Sequence, residues 1–207
     1  MKLLFENWRK YLLKESEGGR IVAIFGPSGS GKSRQKNIFK NNGWKELISL
    51  VTRPPRGEED IKYEFTTEED WQERDNGGEL INTNEYGRNY YGTKLKDFLN
   101  AEKAILVTDE TSIDGSKGGK DLKNVAKTYG KELILVFSAP PPEEELERRH
   151  HDRLERGEYK SQEEYEERFS RAREETENMQ EKALEMGADI HIVSNDEDVK
   201  KLIEELG

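Results

Sequence analysis

The stretch Ile24-Phe25-Gly26-Pro27-Ser28-Gly29-Ser30-Gly31-Lys32-Ser33 begins as an apolar run, breaks into glycines and ends in a lysine and a hydroxyl. It satisfies the pattern GxxxxGK[ST], in which x is any residue. We predict a strand before the glycines and a helix after them, so that backbone N–H groups and the positive end of the helix meet an anion. The stretch therefore decides the fold class and predicts the phosphate tail of a nucleotide as the ligand.

The residue types in this loop indicate a role for each with a nucleoside triphosphate, which we expect to be ATP. Lys32 has the reach to contact the outer phosphates, and the Ser33 hydroxyl is suited to ligate Mg²⁺. The predicted ATP contacts in the loop are Gly26, Ser28, Gly29, Ser30, Gly31, Lys32 and Ser33.

Short apolar runs recur along the chain between charged or amphipathic stretches. This alternation predicts βα units and an α/β fold with a mostly parallel sheet. The predicted strands are Ile21–Phe25, Leu47–Val51, Ala104–Thr108, Leu133–Phe137 and Ile190–Val193.

The composition narrows the classes of function. The chain has 207 residues, 32% of them hydrophobic and 38% charged, with a formal net charge of −10 and no cysteine. One domain is the expectation at this length. The acidic balance argues against a nucleic-acid-binding surface, and no apolar stretch approaches the roughly 20 residues that cross a bilayer. We expect a cytoplasmic protein that binds small nucleotides, neither nucleic acid nor membrane.

Residues 1–18 form a separate feature, in which apolar side chains at spacings of three and four predict an amphipathic helix before Gly18-Gly19. Either the helix packs on the domain that we predict over residues 19–207, or it docks on an assembly partner. Leu13–Ser16 resembles the cleavage pattern of phage prohead proteases, which would make the protein phage-encoded and virion-associated. The apolar positions are Leu4, Phe5, Trp8, Tyr11 and Leu12.

Two segments interrupt the βα rhythm. Residues 53–93 are rich in Thr, Tyr, Asn and Gly with little helical period, which predicts a small inserted subdomain. Residues 153–162 form a basic, glycine-containing break between helices, which suits a mobile flap. Adjacent helical residues point about 100° apart, so the neighbouring His150-His151 pair is not expected to chelate one metal ion. We predict that both histidines lie on the surface.

A second anion site is predicted after the second strand. Arg53 and Arg56 flank Pro54-Pro55, and arginine matches phosphate oxygens with two donors at once. Tyr63 and Tyr91 have phenolic O–H groups that suit the same phosphate. Two phosphate sites in one chain favour transfer of a phosphoryl group to a phosphorylated acceptor over hydrolysis.

The motifs "GPSGSGKS", "SLVTRPPRGE", "YEF", "NYYGT", "APP" and "VSND" occur in the order seen in guanylate kinases, and the chain resembles that family from about residue 20 to residue 205. The resemblance implies a P-loop nucleoside monophosphate (NMP) kinase with a parallel five-stranded sheet. It also implies an NMP-binding subdomain near residues 53–93 and a LID near residues 153–162. The implied reaction transfers the γ-phosphoryl group of MgATP to GMP or dGMP.

The resemblance also implies roles for individual residues. Lys32 and Arg53 would act in catalysis with LID and helix arginines, while Asn195 would lie close to the donor adenine. Asp109 would orient Mg²⁺ together with Ser33. The implied helix and LID arginines are Arg149, Arg153, Arg156 and Arg168, and the implied acceptor contacts are Ser49, Arg53, Arg56, Tyr63, Asn82, Tyr91, Thr93 and Asp109.

Departures from the family pattern leave alternatives open. Asn82 stands where the family has a glutamate that reads guanine, and Glu79 or Glu85 would take that role if the loop shifts by three residues. Val107 stands where the family has an aspartate. A kinase for another deoxynucleotide, a ribose 1,5-bisphosphate phosphokinase and an inactive guanylate-kinase-like binding module are the alternatives.

Overall fold

The fold is known from a computed structural model, which describes residues 18–55, 63–86, 88–115, 121–159, 161–185 and 190–207. The predicted leader helix over residues 1–18 therefore lies, except for Gly18, outside the described residues, and so does Arg56. In the described part of the chain, no helix is both long and apolar enough to span a bilayer.

Strands and helices alternate along most of the chain. The strands are β1 (Arg20–Phe25), β2 (Lys45–Glu46), β3 (Ser49–Val51), β4 (Tyr63–Phe65), β5 (Leu80–Tyr86), β6 (Asn89–Lys94), β7 (Lys103–Val107), β8 (Glu132–Ser138) and β9 (Ile190–Val193). The helices are α1 (Lys32–Asn41), α2 (Glu68–Asn76), α3 (Leu95–Leu99), α4 (Glu110–Asp114), α5 (Leu122–Thr128), α6 (Glu143–Glu155), α7 (Gln162–Glu185) and α8 (Asp196–Leu206).

A five-stranded parallel sheet has the strand order β2-β7-β1-β8-β9. Residues 21–25 of its central strand β1 are 0% exposed, as expected where both faces of a parallel sheet are covered. The carboxyl end of β1 leads directly into the glycine loop and then into α1. The predicted α/β fold and parallel sheet are confirmed.

A second sheet has four strands in the order β4-β3-β6-β5. Strand β3 pairs in parallel with β4 and antiparallel with β6, which in turn pairs antiparallel with β5. On one face of this sheet Leu50, Trp71 and Leu80 form a buried cluster against which Tyr90 packs. Trp71 comes from helix α2, which therefore packs against this face of the sheet.

The chain divides into two compact units. One contains the chain up to Ala23 together with Gly43–Leu133, and the other contains Ile24–Asn42 and Ile134–Gly207. The first unit includes the four-stranded sheet, and the second includes the glycine loop with helices α1, α6, α7 and α8.

The prediction of a parallel-sheet strand over Leu47–Val51 is wrong in its placement. Lys45–Glu46 pairs with β7 in the parallel sheet, and Leu47 continues this pairing by donating its N–H to the Ile105 carbonyl. Ser49–Val51 belongs to the four-stranded sheet instead. The apolar pattern could not show this, because it continues through the point where the chain leaves one sheet for the other.

Two irregular segments also contain more helix than their sequences indicated. Helix α2 lies within residues 53–93; its only buried side chain is Trp71, so it has no apolar period to detect. Its N-cap is Thr67, whose hydroxyl accepts a hydrogen bond from the Asp70 N–H. Arg153 belongs to helix α6, which ends at Glu155. The assignment of these segments as NMP-binding subdomain and LID stays a prediction.

We expect Leu80→Ala to lower the free energy of unfolding by about 2–5 kcal/mol, because Leu80 is 0% exposed and the substitution leaves a cavity in the cluster. Urea denaturation followed by circular dichroism measures the loss. Lys123→Ala, at an exposed position of α5, serves as the control and should change stability by no more than about 0.5 kcal/mol. A Leu80→Ala protein as stable as this control would contradict the cluster's role.

Candidate active site

The glycine loop between β1 and α1 packs so closely that two of its glycines are sterically required. Gly26 has a φ of 147°, and a Cβ there would lie 2.5 Å from the Ser138 carbonyl oxygen. Gly29 has a φ of 82°, and its Cβ would lie 2.5 Å from Leu146 Cδ1. Both backbone angle and space therefore demand glycine.

Lys32 lies folded over this loop. Its Nζ donates to the carbonyl oxygens of Gly26 and Pro27, both at 2.7 Å. Ser33 follows in the first turn of α1, and its side chain is exposed. Ser138 Oγ, which is buried, donates to the Ser30 carbonyl at 3.1 Å. The loop is thus ordered by its own lysine and by a neighbouring strand.

Charged side chains of two helices anchor the loop from outside. Arg149 of α6 donates from Nη1 to the Gly29 carbonyl at 2.9 Å, and Glu175 of α7 accepts from the Ser28 N–H at 3.2 Å. Glu145 holds Arg149 in place at 2.8 Å, and hydrogen bonds from Arg148 and Arg149 lower the pKa of Glu145 to about 2. Arg149 therefore supports the loop's shape, a contact that the sequence did not reveal.

The other three helix and LID arginines that were predicted to act in catalysis pair with nearby glutamates. Arg153 and Arg156 lie 3.6 Å and 3.5 Å from the Glu158 carboxylate. Arg168 pairs with Glu164 at 2.6 Å and lies over the Tyr159 ring at 5.3 Å. Contacting phosphate would require these arginines to exchange such partners, so their catalytic role stays a prediction.

Asn195 is the N-cap of helix α8. Its Oδ1 accepts hydrogen bonds from the N–H groups of Glu197 and Asp198 at 2.9 Å and 3.0 Å. These bonds account for an asparagine at this position without a ligand. A contact with the donor adenine stays a prediction.

His150 is buried, so its assignment as a surface histidine is wrong. It is 0% exposed, and Nδ1 forms a 2.9 Å hydrogen bond with the Tyr159 hydroxyl. Its Nε2 would lie 3.1 Å from a Cβ on Gly29, so the ring lies beneath the glycine loop. His151 projects outward and is 57% exposed at its side chain. No feature of the sequence indicated this difference, because the two residues are identical in type and adjacent.

In the first unit, four predicted acceptor contacts share one face of the four-stranded sheet. Ser49 pairs with Tyr63 on one side and with Thr93 on the other, so the three side chains lie in one row. Tyr91 is two residues before Thr93 on β6 and points to the same face. The opposite face carries Leu50 and the apolar cluster. The structure thus brings together Ser49, Tyr63, Tyr91 and Thr93.

Arg53 follows β3 at this sheet. Its guanidinium carbon lies 4.6 Å from the centroid of the Tyr63 ring and 5.5 Å from that of Phe65. Nη1 donates to the Pro54 carbonyl at 3.0 Å, and the residue is 6% exposed. Contact with two rings restricts the orientation of the Arg53 guanidinium, and a fixed guanidinium plane favours bidentate hydrogen bonds to a phosphate.

Asn82 lies at an irregular point of strand β5. The register shifts between Ile81 and Asn84, and Asn82 has a φ of 51°, a left-handed conformation that asparagine tolerates better than most residues. Asn82 is 4% exposed, and the hydroxyl of Thr108 donates to its Oδ1. Glu79 and Glu85 are exposed.

Asp109 is the N-cap of α4, and its carboxylate accepts four hydrogen bonds within the first unit. Thr111 Oγ1 and the Ser112 N–H donate to Oδ1, at 2.5 Å and 2.9 Å. Ser112 Oγ donates to Oδ2 at 3.1 Å, and Asn84 Nδ2 donates to the same oxygen. Sequence reasoning missed Asn84, whose only signal was a polar residue in a strand near the predicted base-reading position.

The residues fit a magnesium ion that is held mainly by phosphates and water. No group of three His, Cys, Asp or Glu side chains in the described residues is placed to hold a metal. Mg²⁺ usually keeps several waters and takes one or two protein ligands, so the exposed Ser33 hydroxyl suffices. Asp109 has its roughly four acceptor positions filled, so its role as a ligand stays a prediction.

Known proteins resemble this chain over nearly its whole length. The family profile described as Guanylate kinase matches residues 18–206. Guanylate kinases of Streptococcus pyogenes serotypes M3 and M18 are each 34% identical over 201 residues, which cover 91% of this chain and 87% of the relative. A solved guanylate kinase from Anaplasma phagocytophilum has a TM-score of 0.53 and 19% identity, covers 92% of this chain and 86% of its own, and supports the fold.

We expect Gly29→Ala to weaken MgATP binding, because the new methyl group would crowd the side chains of Leu146 and His150 and disturb the loop. Gly43→Ala is a matched control, since Gly43 has a φ of 87° and no atom lies within 4 Å of an added Cβ. Isothermal titration calorimetry measures the affinity of each variant. Equal MgATP affinities in the two variants would contradict the role of the close packing at Gly29.

We expect His150 to make stability depend on pH. Burial lowers the pKa of His150 below its usual value, and the charges of Arg153 and Arg168 lower it further, against a hydrogen bond to the Ser28 backbone that raises it. The unfolded chain therefore binds the proton more readily, and stability is lost as pH falls below about 6.5, by at most about 1.4 kcal/mol per pH unit.

His150→Gln cannot titrate, so its free energy of unfolding, measured in urea from pH 7.5 to 5, should fall less than that of the unmodified protein. The difference between the two curves isolates His150 from the carboxylates that titrate in both proteins. Parallel curves over this range would show that His150 binds protons equally in the folded and unfolded states.

Proposed function

The chain belongs to the guanylate kinase family, and we propose that it is an ATP-dependent nucleoside monophosphate kinase acting on GMP or dGMP. The observation that carries this proposal is the assembled glycine loop, in which Lys32 Nζ lies 2.7 Å from two loop carbonyl oxygens. A lysine at this point of the loop would exchange its carbonyl contacts for the oxygens of the outer phosphates of ATP.

At the donor, the loop amides, Lys32 and the Ser33 hydroxyl would bind the triphosphate. Mg²⁺, when bound through Ser33 and the phosphates, supplies charge neutralisation to the transferring group. Arg149 would keep the loop in shape through Gly29. Arg153, Arg156 and Arg168 would add positive charge once they leave their glutamate partners.

At the acceptor, the face of the four-stranded sheet opposite the apolar cluster would supply phosphate and base contacts. Arg53, stacked on Tyr63, would hold the phosphate of the monophosphate together with Arg56 and Tyr91. The polar row beside it would receive the base. Those base contacts would be Ser49, Asn82 and Thr93, while Asp109, whose acceptor positions are filled, would hold the neighbouring Asn84 in place.

The chemistry needs no covalent intermediate. The acceptor phosphate oxygen attacks the γ-phosphorus in line, ADP leaves, and the protein acts by positioning and by stabilising charge. The neutral Asn82 in place of a glutamate favours a wider choice of acceptor than guanine alone. An altered deoxynucleotide preference is therefore the second candidate function.

We expect Lys32→Ala to lower kcat/KM by at least about 10³, because it removes the positive charge nearest the transferring group. A coupled assay that detects ADP, run with MgATP and GMP, dGMP, AMP, dTMP or ribose 1,5-bisphosphate, measures both the activity and its acceptor. Lys40→Ala, at an exposed position near the end of α1, is the control and should keep full activity.

Removing Mg²⁺ with EDTA should abolish turnover, and adding the ion back should restore it. Turnover of GMP or dGMP supports the proposal. ADP formation only with ribose 1,5-bisphosphate would overturn the assignment of a nucleotide as acceptor. The absence of ADP formation with every acceptor would indicate an inactive binding module.

A further inference from the structure

Two polar atoms of the four-stranded sheet are buried without a hydrogen-bond partner in the part of the chain that the structure describes. They are Asn84 Oδ1 and Thr93 Oγ1. Buried polar atoms in folded proteins nearly always have partners, so each orphan needs an explanation. A ligand that supplies the missing partners is one.

The two orphan atoms belong to one face of the sheet. Asn84 pairs with Tyr91 on β6, and Thr93 is two residues further along the same strand. Cross-strand partners point to the same side, and so do residues two apart. Asn84 and Thr93 therefore share the face that carries Ser49 and Tyr63.

The amide of Asn84 has a defined orientation. Its Nδ2 donates to Asp109 Oδ2 and lies 3.4 Å from Ser112 Oγ. An ionised carboxylate accepts hydrogen bonds and cannot donate them, so the amide nitrogen must face Asp109. Oδ1 is then left pointing away from Asp109, as an acceptor fixed in place.

Asn82 differs from Asn84 in this respect. The hydroxyl of Thr108 donates to its Oδ1, so in Asn82 the amide oxygen already has a protein partner. Of the two asparagines, Asn84 offers the better defined acceptor.

We propose that Asn84 is a specificity-determining residue for the acceptor base, a proposal that rests on the proposed function. Its Oδ1 accepts hydrogen bonds from the ring N–H and the neighbouring amino group of a 2-amino-6-oxopurine, and the Thr93 hydroxyl supplies a second contact. An amide oxygen has two lone pairs, so it serves both donors of guanine. Adenine offers an acceptor at the same ring position and is disfavoured.

The test compares GMP with IMP, which lacks the amino group and would make one hydrogen bond to Asn84 where GMP makes two. The unmodified protein should favour GMP over IMP in kcat/KM by about tenfold, the usual effect of one hydrogen bond. Asn84→Ala removes both bonds, so this ratio should fall to about one, mainly through the KM for GMP.

Ser112→Ala is the matched control. Ser112 donates to the same oxygen of Asp109 as Asn84 does, so its loss loosens the carboxylate while the Asn84 oxygen is kept. The ratio of GMP to IMP should stay within about twofold of that of the unmodified protein. Asn84→Ser, which keeps a donor for Asp109 but withdraws the amide oxygen, should lower the ratio and replaces Asn84→Ala if that variant does not fold.

An unchanged ratio in the Asn84 variants, or an equal fall in Ser112→Ala, overturns the role of Asn84. If the unmodified protein turns over neither GMP nor dGMP, the proposed function itself fails. Turnover of GMP by the unmodified protein with an unchanged ratio in the variants removes only the inference about Asn84.

Discussion

The close approach of the glycine loop to its surroundings is the constraint on which the nucleotide site depends. A carbonyl oxygen of β8 and a methyl group of Leu146 occupy the space that side chains at Gly26 and Gly29 would need. Arg149 and Glu175 then hold a carbonyl and an N–H of the same loop from helices α6 and α7. These contacts hold the backbone of the loop in one conformation, and a site whose groups are fixed in advance needs little reorganisation when its ligand binds.

In the first unit, where the acceptor site is predicted, a single carboxylate holds the neighbouring polar side chains in position. Asp109 caps α4 and accepts all the hydrogen bonds that a carboxylate can take, from its own helix and from β5. Its charge is thereby used to fix neutral side chains in position. Under the proposed function, the groups left to face the base would be amides and hydroxyls, which discriminate by the placement of donors and acceptors more than by charge.

The sequence predicted the parts of the molecule in which local pattern and structure coincide. The glycine motif between strand and helix, the buried strand β1 and the strand Ile190–Val193 were all identified from short-range signals. Tyr63 and Tyr91 were predicted from their phenolic groups, Ser49 and Thr93 from the family resemblance, and strand register brings the four into one row or face.

The features that the sequence did not reveal depend on contacts between distant residues. Helix α2 buries one side chain, Trp71, and so has no apolar period. His150 is buried because Tyr159 and the glycine loop cover it, while His151 beside it is exposed. The role of Asn84 depends on Asp109, 25 residues away.

The irregular point in β5 changes the face of the sheet to which the following side chains point. In an unbroken strand, Ile81 and Asn84 would point to opposite sides, yet both have partners on β6, Thr93 and Tyr91, that point to one side. The extra residue between them reverses the parity of every side chain that follows. The irregularity between residues 81 and 84 therefore determines this face as much as residue identity does: if the same residues formed an unbroken strand, Thr83 would lie opposite Tyr91 and Asn84 would point to the face of the apolar cluster.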